Sequence, residues 1–135
     1  DFLNRMISRY VDIVFANEDE AIALTGKQPE EALHAISDMC DLAIVKLGAQ
    51  GSIIKHNGQV IRIDAIPAHS VDTTGAGDIY ASGVLYGISE NLDLEAAGKI
   101  GSLLAGKVVE VIGAKIPEKT WQELRPQIEK LKAKS

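Results

Sequence analysis

Leu42-Ala43-Ile44-Val45-Lys46-Leu47 is a near-continuous apolar run bounded by polar residues. It does not alternate as a half-exposed strand does, and it is too short for a buried helix. It reads as a strand covered on both faces. Such strands belong to parallel sheets, because the crossover helices of those sheets lie on both sides. The chain is thereby restricted to folds that layer helices against a sheet.

The flanking segments supply those layers. Asp12 to Ala16 reads as a short strand that ends where Asn17 can cap a helix. Ala21, Ile22 and Leu24 lie on that helix, and Gly26 can stop it. Pro29 opens the next helix with Glu30 and Glu31 in its first turn, and Leu33, Ile36 and Met39 form its apolar face. Ser52–Lys55 and Val60–Ile63 flank Asn57-Gly58, a strong signal for a tight hairpin. Asp93 can cap a helix that carries the stripe Leu94, Ala97, Gly101, Leu104, Val108 and Val111, runs to Ile112 and stops at Gly113. Thr120 and Glu123 form a capping-box pattern for a last helix, which Pro126 forces to start later or to bend. Phe2 to Tyr10 reads like the end of a helix. Alternating strands and helices followed by a helical section predict an α/β layered fold with a mainly parallel sheet. Ligands of such sheets gather beyond the carboxyl ends of the strands, where Asn17, Gly48 and Gly75 fall.

The segment Val71 to Gly83 carries the most chemistry. Gly75-Ala76-Gly77 lets backbone approach a ligand without side-chain obstruction. Ile79, Ala81, Val84, Leu85 and Ile88 follow at helical spacing, so a helix starts near Asp78. The free N–H groups of a first helical turn, with the positive end of the helix dipole, attract anions. Asp78 plants a carboxylate at the mouth of that site. A carboxylate there suits a group that accepts the proton of a hydroxyl attacking a phosphate. The plainer reading is a glycine-rich turn with Asp78 as a simple N-cap.

Composition removes other classes. A net charge of -5 with scattered Lys and Arg argues against a nucleic-acid partner. No apolar run reaches the length needed to cross a membrane. The single cysteine, Cys40, has no internal disulfide partner and fits a reducing cytoplasm. His34, His56 and His69 have no metal-ligand partner at useful spacing.

Asp72-Thr73-Thr74-Gly75-Ala76-Gly77-Asp78, followed by a small-residue helix, resembles the signature of the ribokinase-like, or PfkB, carbohydrate kinases. Three further segments match in the same order. Asn17-Glu18-Asp19-Glu20 resembles the family's Asn-x-x-Glu element after a strand. Val45 to Ser52 resembles its nucleotide-binding turn, and Val111 to Pro117 its Gly-Ala…Pro stretch. The resemblance covers most of the chain. It implies the C-terminal, ATP-binding and catalytic part of a ribokinase-like three-layer α/β/α fold over residues 1–135. The N-terminal part and lid of that fold are expected to be absent. The implied activity is phosphorylation of a primary hydroxyl of a sugar or nucleoside by ATP, in the branch of adenosine kinase and related sugar kinases.

The resemblance also implies residue roles. Asp78 would be the general base, and the amides of Gly75, Ala76 and Gly77 an anion hole. Asn17 and Glu20 would order Mg²⁺ through water, although their spacing is equally that of a capping box. Lys46, Gly48 and Gly51 would frame the nucleotide phosphates. Their plain alternative is a strand-to-strand turn, and family members often carry Thr or Ser at the place of Lys46. Ser102 would touch the adenine, unless its helix is plain core. Asp72, Thr74 and Gly113 match positions near a monovalent cation, K⁺, in some members. The rival expectation is a non-catalytic nucleotide-binding or assembly fragment, whose exposed sheet edge would pair with another copy as a homodimer.

Overall fold

Strand β1 (Ile13–Asn17) pairs in parallel with β2 (Leu42–Lys46), with Ile13 opposite Leu42 and Asn17 opposite Lys46. The computed structural model in which they are seen describes residues 2–135. Helices α2 (Glu18–Thr25) and α3 (Pro29–Ser37) make the crossover between these strands. β2 then runs antiparallel to β3 (Ser52–His56), and β4 (Gln59–Ile63) completes a four-stranded sheet in the order β1-β2-β3-β4. The fold is α/β, as expected, but the sheet within this chain is mixed. Its parallel pairing is the β1–β2 crossover, because the two-residue turn Asn57-Gly58 is too short for anything but a hairpin between β3 and β4. Both turn residues have positive φ, 48° and 78°, the backbone of the tight turn that fits the twist of paired strands.

The chain divides into two compact units, Asp1–Arg62 and Ile63–Ser135. In the first, Leu42 to Val45 are all buried, as their unbroken apolar sequence requires. Ala16, Ala43 and Val45 on the strands pack with Ala21, Leu33 and Ile36 on α2 and α3. Helix α1 (Phe2–Tyr10) precedes β1. The stops read from sequence hold: Gly26 ends α2 in a left-handed turn, and Pro29 opens α3.

The second unit holds α4 (Ala76–Ser89), α5 (Leu94–Val108) and α6 (Glu118–Lys132). Two helices can approach this closely only where small residues face each other. A Cβ placed on Gly83 of α4 would lie 2.7 Å from the Cα of Gly101 of α5. Ile100, Leu104 and Val108 of α5 pack with Leu124 and Ile128 of α6.

Three helix boundaries differ from expectation. α4 begins at Ala76, two residues before Asp78, because the left-handed Gly75 already turns the chain into the helix. α5 ends at Val108 and not at Ile112, so Gly113 is not its stop. α6 begins at Glu118 behind Pro117, which places Thr120 inside the first turn and leaves no capping box there. Pro126 does not break α6. It lies on the exposed side, where solvent can satisfy the Gln122 carbonyl that Pro126 cannot reach. Among the described residues no helix is long and apolar enough to cross a membrane.

Candidate active site

Gly75 sets the geometry at the start of α4. Its φ of 75° is left-handed, and a Cβ on it would lie 2.5 Å from the Cβ of Ala114. Only glycine satisfies both demands. The amides of the next residues are not equivalent. The Ala76 N–H donates to the Thr73 carbonyl at 3.1 Å. Those of Gly75, Gly77 and Asp78 have no acceptor among the described residues. Of the three amides expected to form an anion hole, Ala76 is therefore already engaged, and the Asp78 N–H joins Gly75 and Gly77 as an open donor. These donors lie at the positive end of a 14-residue helix.

Asp78 is exposed and occupies the third helical position, so it is not the N-cap of α4. Behind it, the Ser82 hydroxyl donates to the Asp78 carbonyl at 2.8 Å. Ahead of it, Asp72 ties the loop. Its Oδ1 accepts from the Thr74 N–H at 2.9 Å and the Thr74 hydroxyl at 2.7 Å, and its Oδ2 accepts from the Gly113 N–H at 2.9 Å. The Thr74 hydroxyl, then the Gly113 and Thr74 amides, hold the Asp72 carboxyl below its ordinary pKa. Asp72, Thr74 and Gly113 are thus brought together, through hydrogen bonds among themselves. Ser102 lies on α5, the helix on which the sequence placed it. It is buried there and its hydroxyl donates to the Asp64 carbonyl at 2.8 Å, which leaves the oxygen able only to accept.

The first unit carries the other candidates. Asn17 caps α2, and the capping box is complete. Its side-chain oxygen accepts from the Glu20 N–H at 2.8 Å, and Glu20 Oε2 accepts from the Asn17 N–H at 2.8 Å. Glu20 Oε1 has no partner among the described residues. Lys46 ends β2 between Asn17 on β1 and Ser52 on β3. Gly48 and Gly51 bracket one 3₁₀ turn with positive φ of 54° and 89°, so the stretch is a turn that also exposes backbone.

Sequence reasoning missed a shallow cleft of about 330 Å³ here, whose lining includes Glu18, Glu30, Glu31, Leu47, Gln50 and Arg62. Glu30 already pairs with Arg62 at 2.5 Å. Nothing in the alternation of β4 marked Arg62 as part of the cleft. Among the described residues no group of three or more His, Cys, Asp or Glu is placed to hold a metal.

A profile of the pfkB family carbohydrate kinases matches residues 2–121. The chain belongs to this family. Among its pfkB relatives, the nucleoside kinase of Methanocaldococcus jannaschii is 40% identical over 128 residues, which is 92% of this chain and 41% of that protein. The adenosine kinase of Sinorhizobium meliloti has a solved structure that superposes with a TM-score of 0.79 at 39% identity, over 90% of this chain and 39% of that one. The ribokinase of Thermotoga maritima gives a TM-score of 0.79 at 26% identity, over 89% of this chain and 44% of that one. The fold of this pfkB chain is therefore ribokinase-like. It spans 32–44% of the length of the curated relatives it matches first.

Proposed function

We propose that this chain is the ATP-binding and catalytic part of a kinase that phosphorylates a primary hydroxyl of a sugar or nucleoside. One observation carries the reading. At the start of α4 an exposed carboxylate, Asp78, stands among open amides at the positive end of a helix. A loop that only bound phosphate would gain nothing from a negative charge there. A phosphotransfer site needs one, because the attacking hydroxyl must lose its proton as it meets phosphorus.

In this reading Asp78 takes the acceptor proton. The amides of Gly75, Gly77 and Asp78 meet the charge that develops on the transferred group. The Lys46–Gly51 turn frames the nucleotide phosphates, with Lys46 acting as a point charge. Glu20 fits a hydrated Mg²⁺: it is exposed, and the cap engages only one of its carboxylate oxygens. Mg²⁺ keeps several waters and borrows few protein carboxylates, so one oxygen beside Asn17 is enough. When bound, the metal supplies charge neutralisation on the phosphates. K⁺ fits less directly. Both Asp72 oxygens are committed, so main-chain carbonyls of Asp72, Thr74 and Gly113 would have to hold it. An ATP-consuming reaction suits the cytoplasm, as does the free thiol of Cys40.

The relatives support this chemistry and divide the acceptors, since they include nucleoside kinases and a 5-dehydro-2-deoxygluconokinase. The test is to incubate the full-length gene product with ATP, Mg²⁺ and a panel of sugars and nucleosides. ADP formed in step with an acceptor phosphorylated on its primary hydroxyl supports the proposal. Nucleotide binding without transfer to any acceptor favours the non-catalytic alternative.

A further inference from the structure

In an uninterrupted α5 the Gly113 N–H would donate to the Val109 carbonyl, four residues earlier. That carbonyl instead accepts from the N–H groups of Val71 at 2.7 Å and Asp72 at 3.2 Å. The Gly113 N–H turns to Asp72 Oδ2. The loop before α4 thus takes both halves of the bond that another helical turn would have made. The other oxygen of the same carboxylate holds Thr74 through its N–H and its hydroxyl. One side chain therefore fixes the loop in two directions, outward to Gly113 and inward to Thr74. Gly75 comes next, seated against Ala114, the neighbour of Gly113. Bonds to an ionised acceptor are about twice as strong as neutral ones, so this is the stiffest tie the loop has. The lowered pKa of Asp72 has the same origin.

We propose that Asp72 is a positioning residue for phosphoryl transfer: by bridging Gly113 and Thr74 it holds the open amides of Gly77 and Asp78, and the Asp78 carboxylate, in reacting position. This rests on the kinase reading. Asp72 touches no reacting atom. It acts through the loop, and a misplacement of about 1 Å in such a loop costs about 10²-fold in rate.

The experiment compares the full-length gene product with its Asp72→Ala and Asp72→Asn variants, in initial rates against ATP and acceptor at low and saturating KCl. Asp72→Ala is expected to lower kcat about 10²-fold and to leave both KM values within about threefold, equally at both salt levels. Asp72→Asn is isosteric and keeps one acceptor oxygen, so it recovers part of kcat. It also supplies the answer if the alanine variant does not fold. Amide hydrogen exchange reads the tie itself, with Gly113 protected in the parent and released in Asp72→Ala. A kcat within about twofold of the parent, with Gly113 released, overturns the proposal. So does a loss that KCl restores, because it assigns the carboxylate to a cation. A parent that transfers phosphate to no acceptor is a separate outcome, and it removes the kinase reading together with the role built on it.

Discussion

Gly75 is the residue whose replacement has the clearest cost. Alanine there must adopt a left-handed backbone, at about 1–2 kcal/mol. Its Cβ would also sit 2.5 Å from that of Ala114, and overpacking of this kind adds about 1–3 kcal/mol. Gly75→Ala is therefore expected to shift the urea unfolding midpoint downward, and an unchanged midpoint would mean that the turn is built differently. Asp72 gives a prediction in pH. Its folded pKa lies below the ordinary carboxyl value of about 3.9. A depressed value means that the bonds to Thr74 and Gly113 are complete above that ordinary value, and are lost as pH falls through the lower, folded one. The Gly113 amide proton, followed by NMR, should hold its shift from neutral pH down to about 4 and move below it. A midpoint at or above the ordinary value would contradict the tie.

The capping box of α2 separates two roles that share the same residues. Asn17→Ala removes the acceptor for the Glu20 N–H and should cost about 1 kcal/mol of stability. Glu20→Gln keeps an oxygen for the Asn17 N–H but loses the charge. It should hold stability to within about 0.5 kcal/mol, while raising the Mg²⁺ concentration needed for half-maximal activity. Equal activity at limiting Mg²⁺ would leave Glu20 a cap and nothing more. The same elements show what local sequence can and cannot carry. The Asn17, Asp93 and Gly26 caps, the Asn57-Gly58 hairpin and the buried β2 were legible, because each arises from a side chain acting on its nearest backbone. The early end of α5 was not, since it depends on Val71 and Asp72 reaching the Val109 carbonyl from far along the chain. The hydrogen bond of Ser102 was hidden for the same reason: its partner, the Asp64 carbonyl, is 38 residues away in sequence. At the start of α4 the motif was visible, but the engagement of the Ala76 amide by Thr73 depends on a local turn that residue types alone do not specify.

Taken whole, the molecule is acidic, with a net charge of -5, and so repels a polyphosphate at long range. In the proposed kinase any attraction is therefore local, and the open amides at the α4 N-terminus are the group proposed to supply it. β1 and β4 lie at the two ends of the strand order, so each edge of the sheet lacks a further strand among the described residues. The family's chains extend well beyond the span matched here, so catalysis belongs in assays of the full-length gene product. There Asp78→Asn keeps the shape of the side chain and removes its ability to take a proton. Turnover with the best acceptor should fall about 10²- to 10⁴-fold, with the thermal midpoint and ATP binding preserved. If Asp78→Asn turns over at the rate of the parent, Asp78 is not the base, and the functional account built on the α4 N-terminus is wrong.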